Sequence, residues 1–204
     1  MGSLPGLARP GPRRRLVGVT RIISGTAGGV RLDVPRTGTR PTSDRVREAL
    51  FSSLESTGML DGTVVVDLYA GSGALGLEAI SRGARTCDLV ERGPKAAQVA
   101  RRNADQVARA AGVRADVHAE AVQTFLRRAT RIYDMAFVDP PYDHADDVLT
   151  ADLALLGPLL AADALVVVER AKRSGSPNWQ AAGLRAVRDR AFGDTALWWG
   201  EPDV

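Results

Sequence analysis

From Thr63 onward, short apolar runs alternate with amphipathic segments, and this alternation restricts the fold more than any other feature of the chain. Residues 64–68 (VVVDL), 86–90 (TCDLV), 114–118 (RADVH), 133–138 (YDMAFV) and 164–169 (ALVVVE) read as strands. Helices are expected over residues 74–82, 94–111, 121–128 and 147–156, and two more β-prone runs, 184–190 and 195–199, close the chain. Strands that are apolar throughout are covered on both faces. Repeated βα units therefore predict an α/β fold, a parallel sheet with helices on both sides. In such sheets ligands bind at the carboxyl ends of the strands. Asp67, Glu91 and Asp139 all fall at such ends.

The first quarter of the chain is different. Residues 1–20 are rich in Gly, Pro and Arg and read as a flexible basic leader. Residues 21–24 and 30–34 are β-prone and flank a Gly-rich turn, which predicts a hairpin. Pro41 marks a break, Thr42 or Ser43 can cap a helix, and Asp44 suits its first turn. Val46, Leu50 and Leu54 then repeat at helical spacing. The expected organisation is a leader over 1–20, a hairpin extension over 21–41 and one α/β domain over 42–204.

Composition excludes several classes. The 204 residues and 45% hydrophobic content suit one domain with a real core. No apolar run approaches the roughly 18 residues of a membrane helix, and no secretory segment opens the chain, so a cytoplasmic protein without membrane contact is expected. Cys87 is the only cysteine, so no intrachain disulfide can form, and its setting is that of a small core residue. With His118 and His144 far apart, no metal site is expected. Charge is uneven: residues 1–50 hold ten Arg against three acids, +7, and the rest holds seventeen basic against twenty-one acidic residues, −4, for the net +3. A basic arm on a mildly acidic body points to a polyanion met by one face.

Gly71, Gly73 and Gly76 fit G-x-G-x-x-G between a strand and a helix. Glu91 ends the next strand, where a carboxylate can accept from two ribose hydroxyls. A nucleoside-type cofactor follows, and both NAD and S-adenosylmethionine suit the glycines. Asp67, just before the loop, would repel a pyrophosphate and favour an ammonium or sulfonium. A loop-capping role through backbone amides is its other reading, and the cofactor role is preferred. The second constellation is Asp139-Pro140-Pro141-Tyr142. The prolines stiffen the loop and carry no N–H, which leaves their carbonyls free to accept. Asp139 and the Pro140 carbonyl can hold an exocyclic NH₂, and Tyr142 offers a face on which a base can stack.

The two constellations together resemble the class I S-adenosylmethionine-dependent N-methyltransferases. That resemblance implies a Rossmann-like, doubly wound, mostly parallel seven-stranded sheet. It places Asp67, Tyr69, Gly71, Gly73 and Glu91 at the cofactor, with Glu120 and Ala121 at its adenine. It places Asp139, Pro140, Pro141 and Tyr142 at the target amine.

A longer string narrows the family. TRIISGTAGGVRLDVP, TRPTSDRVREALF, DLYAGSGALGLEAISRGA, VDPPY, VVVERA and RAFGDTALWW occur in this order. The string is similar to the bacterial small-subunit ribosomal RNA methyltransferase D family, which makes N2-methylguanine at position 966 of 16S ribosomal RNA. The resemblance implies that a partly assembled 30S subunit is the partner, bound by a monomer. Arg21, Arg31, Arg36, Arg40, Arg45 and Arg47 can neutralise phosphates, and Thr42 lies among them. Three alternatives share the motifs: an N6-adenine methyltransferase on DNA, a glutamine N5-methyltransferase on protein, and an assembly factor that binds RNA without catalysis. The intact set of Asp67, Glu91 and DPPY argues against the last.

Overall fold

The structure is a computed structural model and describes residues 19–35 and 44–203. The leader up to residue 18, the Pro41–Ser43 cap region, and Arg36, Arg40 and Thr42 lie outside the described residues.

Strands β1 (Val19–Arg21) and β2 (Arg31–Asp33) form an antiparallel hairpin in which Arg21 lies opposite Arg31. Then come α1 (Asp44–Glu55), β3 (Val64–Leu68), α2 (Ala74–Ser81), β4 (Thr86–Val90) and α3 (Pro94–Ala111). After these come β5 (Ala115–His118), α4 (Val122–Arg128), β6 (Tyr133–Val138) and α5 (Asp146–Leu156). Strands β7 (Leu160–Ala171), β8 (Leu184–Phe192) and β9 (Thr195–Pro202) complete the fold. Seven strands make one sheet in the order β5-β4-β3-β6-β7-β9-β8. Its pairs are parallel except for the two that β9 makes, with β7 and β8. The chain winds from β3 outward through β4 and β5, then returns to β6 on the other side of β3. Such a reversal opens a crevice between the carboxyl ends of the two central strands.

Alternate residues of each strand feed two cores. Val65, Cys87, Leu89, Met135, Phe137, Leu165 and Val167 face one side, packed with residues of α1, α2 and α3. Val64, Val66, Leu68, Val90, Ala136, Val138 and Val166 face the other, under α4 and α5. Cys87 is fully buried, as its setting predicts. Helix α3 starts at Pro94 and stops at Gly112, which adopts a left-handed φ of 72°, the expected arrangement for proline and glycine at helix ends.

The hairpin is part of this core and not an appendage. Ile22 and Leu32 are completely buried and belong to the same cluster as Val65 and Phe137. The first strand ends at Arg21, earlier than its β-prone run predicts. The reason is tertiary: the amides of Ile23 and Ser24 donate to the buried carboxylate of Glu78 in α2, at 2.7 and 3.1 Å. Ser81, also in α2, donates to Ser24 O and accepts from Ala27 N. Strand β7 is longer than the 164–169 expected, because β6 and β9 pair along its two edges.

Arg47 corrects an expectation. Its sequence position groups it with the phosphate-binding arginines, yet its side chain is 1% exposed. Its guanidinium donates to Thr20 Oγ1, Arg21 O and Asp44 Oδ1 at 3.0, 2.6 and 3.0 Å. It fastens α1 to β1, and burial lowers its pKa. Arg21, Arg31 and Arg45 are exposed.

Candidate active site

The crevice beside β3 holds a cavity of about 190 Å³ lined by Pro35, Tyr69, Gly71, Val90, Glu91, Arg92, Val122, Asp139 and Pro141. It joins the ends of β3, β4 and β6, so the glycine loop and the DPPY loop share one wall.

On the β3 side, Gly71 has φ 56°, and a Cβ there would meet nothing closer than Tyr69 O at 3.9 Å. The backbone is thus bare toward the cavity. Glu91 binds this loop directly: Oε2 accepts from Gly71 N at 3.0 Å and Oε1 from Gly93 N at 2.5 Å. Gly76 serves packing instead, since a Cβ there would lie 2.5 Å from Leu89 and 2.6 Å from the Cys87 sulfur. Gly73 caps α2 with φ 81° and is not part of the cavity wall.

Asp67 lies beneath the loop, buried, and its Oδ2 accepts from Gly76 N at 2.8 Å. This is the loop-holding bond of its second reading. Asp67 is not among the cavity-lining residues, so its charge reaches a ligand only through space. Burial, with a contribution from Glu91, pushes its pKa up to about 7 against the Gly76 hydrogen bond.

On the β6 side, Asp139 N donates to Leu68 O at 3.4 Å, which ties the DPPY loop to β3. Pro140 is buried. Tyr142 is 52% exposed and, with Pro140, Pro141, His144, Arg170, Ala171 and others, lines a small cleft adjoining the main cavity through Pro141. A half-exposed phenol ring at a pocket mouth is a surface ready for stacking. On the β5 side, Glu120 is not among the cavity-lining residues and pairs with Arg128, which holds its carboxyl below the usual range. Ala121 is exposed at the start of α4, and the cavity wall here is Val122.

Sequence reasoning missed a brace that crosses the crevice. Tyr69 has φ 66°, a left-handed conformation rare for a non-glycine residue. Its hydroxyl donates to Asp152 Oδ2 in α5 and lies 3.1 Å from His144 Nε2. Burial and the neighbouring Asp152 raise the phenol pKa, so it remains a donor. His144 N donates to Pro141 O, which closes the link from the glycine loop to DPPY. Asp152 sits on the face of α5 that carries Leu149, Leu153 and Leu156. A carboxylate at i+3 on an apolar stripe was the available signal. Asn103, inside the Ala100–Ala104–Val107 stripe of α3, gives the same signal. Arg92, beside Glu91 in the cavity wall, was also missed.

The cavity fits S-adenosylmethionine by its donor set. It offers a carboxylate for ribose hydroxyls, flat apolar walls at Pro35, Val90 and Val122, a bare glycine backbone, and negative charge from Glu91 and Asp139 for a cation. Among the described residues no group of three or more His, Cys, Asp or Glu side chains could hold a metal. His118 instead contacts Asp88 Oδ1 at 2.7 Å. No described helix is long and apolar enough to cross a membrane.

The family model Conserved hypothetical protein 95 matches residues 20–201. Ribosomal RNA small subunit methyltransferase D of Escherichia coli strain K12 is 37% identical over 167 residues, covering 79% of this chain and 82% of that protein. The chain belongs to the small-subunit ribosomal RNA methyltransferase D family. The protein of the same name from Haemophilus influenzae is 32% identical over 158 residues, 76% of this chain and 80% of its own. Among solved structures, a hypothetical protein of Thermus thermophilus superposes with a TM-score of 0.75 at 34% identity, covering 89% of this chain and 98% of that one. The seven-stranded mixed sheet of this chain, with helices on both faces, is a Rossmann-like class I methyltransferase fold.

Proposed function

We propose that this protein transfers a methyl group from S-adenosylmethionine to the exocyclic N2 of guanine 966 of 16S ribosomal RNA in a partly assembled small subunit. At the coarser level it is an S-adenosylmethionine-dependent ribosomal RNA methyltransferase. The observation that carries the reading is the shared cavity wall: Gly71 and Glu91 stand beside Asp139 and Pro141.

When bound, S-adenosylmethionine supplies a methyl group already activated on a sulfonium. Glu91, Gly71, Tyr69 and Val122 hold and enclose it, and Asp67 stabilises its positive charge from below. Tyr142 stacks the base once it leaves the helix. Asp139 and the Pro140 carbonyl accept from N2 and aim its lone pair at the methyl. The cofactor would supply the methyl and depart as S-adenosylhomocysteine; N2 sheds its proton after the transfer, and Asp139 is a candidate acceptor for it. Positioning supplies most of the rate.

Residues 21–41 form the RNA-contact extension of a catalytic unit spanning 42–204. Arg21 and Arg31 support this. They are exposed cross-strand partners, and like charges placed opposite each other cost stability unless a polyanion neutralises them. Arg36, Arg40, Thr42 and Arg45 continue the contact. The enzyme works as a cytoplasmic monomer. The decisive test is mass spectrometry of 16S ribosomal RNA from a deletion strain, with labelled-methyl assays on assembly intermediates, DNA and protein. An unmodified guanine 966 in the deletion strain supports the reading. Intact N2-methylguanine there, or transfer only to DNA or protein, overturns it.

A further inference from the structure

We infer that Asn103 is a positioning residue that makes cofactor binding and RNA binding interdependent. Asn103 lies in α3 and is fully buried. Its side-chain amide does three things at once. Oδ1 accepts from Asp33 N at 2.9 Å, and Nδ2 donates to Asp33 O and to Ser72 O, each at 2.9 Å. The first two bonds imitate a neighbouring strand and hold the end of β2. The third holds the glycine loop between Gly71 and Gly73. One side chain thus pins the hairpin that carries Arg21 and Arg31 to the loop that carries Gly71.

The consequence lies two residues further on. Pro35 follows Asp33 and forms part of the same cavity wall as Gly71 and Glu91. Arg31 lies on the same short strand as Asp33. A ligand filling the cavity presses on Pro35 and on the glycine loop together, and Asn103 keeps those two surfaces in register. Filling the cavity therefore steadies the end of β2 that Asn103 holds, and RNA held by Arg21 and Arg31 steadies that same end and, through it, Pro35. Both ligands thus bear on the one joint that Asn103 makes between β2 and the glycine loop, which makes the coupling positive and reciprocal. The inference rests on the reading of the arm as an RNA-contact extension.

The test uses the full chain, a labelled 16S ribosomal RNA fragment, and S-adenosylhomocysteine, which fills the cofactor site without turnover. RNA affinity is measured with and without saturating S-adenosylhomocysteine, and S-adenosylhomocysteine affinity with and without RNA. The wild type should show the same enhancement in both directions, about fivefold or more. Asn103→Asp keeps the acceptor for Asp33 N but loses both donated bonds, and its enhancement should fall to about onefold. Pro35→Gly, with Asn103 intact, should reduce the enhancement as well. The ratio is the readout: a merely structural defect weakens both affinities and leaves the ratio alone. Additive binding in the wild type, or full enhancement in either variant, overturns the inference. Absence of any RNA binding by the wild type overturns the RNA reading itself, and the inference with it.

Discussion

Within DPPY, Asp139 and Tyr142 should fail in different ways. Asp139→Ala removes the acceptor that aims the amine, and misaimed geometry costs about a hundredfold or more in single-turnover rate. Cofactor affinity should hold to a lesser loss, since Glu91 and Gly71 remain. Tyr142→Phe keeps the aromatic face and most of the activity, whereas Tyr142→Ala loses stacking of about 1–3 kcal/mol. Wild-type rates in Asp139→Ala would remove this loop from the chemistry. Asp67 carries a separate prediction. Its pKa rises from 3.8 to about 7 in the fold, so between those values the folded protein holds a proton that the unfolded chain has lost. Its contribution to stability is therefore full below about pH 4, falls as pH climbs, and levels off above about 7. Asp67→Asn keeps an acceptor for Gly76 N and lacks this slope. The variant should be more stable than the wild type above pH 7, by a few kcal/mol at roughly 1.4 per pH unit, with the gap closing toward pH 4 in urea melts. A gap that does not change with pH would mean that Asp67 titrates normally. A cationic cofactor should also bind the wild type more tightly as pH rises through 7, and this dependence should vanish in Asp67→Asn.

Among the elements, two links show how loops are held in place. Tyr69, Asp152 and His144 connect the end of β3 to the end of β6 through α5. Asp152→Ala takes the carboxylate acceptor from the Tyr69 hydroxyl and leaves only His144 Nε2 beside it, at a cost of about 1–3 kcal/mol, and it slackens the hold on a backbone at positive φ. Loss of the brace should raise KM for cofactor and RNA together and lower kcat. Asp152→Asn keeps an acceptor and should rescue most of both. An effect on the cofactor KM alone would confine the brace to the glycine loop. The hairpin makes the second link. Its inner face buries Ile22 and Leu32, and its outer face sets Arg21 against Arg31. Arg21→Ala with Arg31→Ala should leave the melting temperature level or slightly higher, because a like-charge pair is relieved. The slope of log affinity against log salt should flatten by roughly one unit per lost phosphate contact. An unchanged slope would leave these arginines solvated in the complex.

At the scale of the whole molecule, the extension and the sheet fold as one body. Deleting residues 1–33 should not yield an autonomous α/β domain. It removes the completely buried Ile22 and Leu32 and leaves the buried carboxylate of Glu78 facing a void, and each truncated core side chain alone is worth about 2–5 kcal/mol. Loss of cooperative unfolding in such a truncation checks this; a sharp transition near the wild-type temperature would refute it. The strand–helix alternation, the glycine loop and DPPY were legible without coordinates, because apolar periodicity, glycine and proline act through local backbone physics. The same physics placed Glu91 and Asp139 at strand ends on the binding side of the sheet. What local patterns could not supply was the partner of each polar group. Glu78 meets Ile23 across 55 residues and Asn103 meets Asp33 across 70, and no spacing rule encodes such pairings. Hence Arg47 reads as a surface cation and is a buried staple, and Asp67 holds its loop from below. Sequence determined the layered fold and the loops at which chemistry is done. Tertiary packing alone decided which charges face the cavity, because the direction of a long side chain depends on which distant groups surround it.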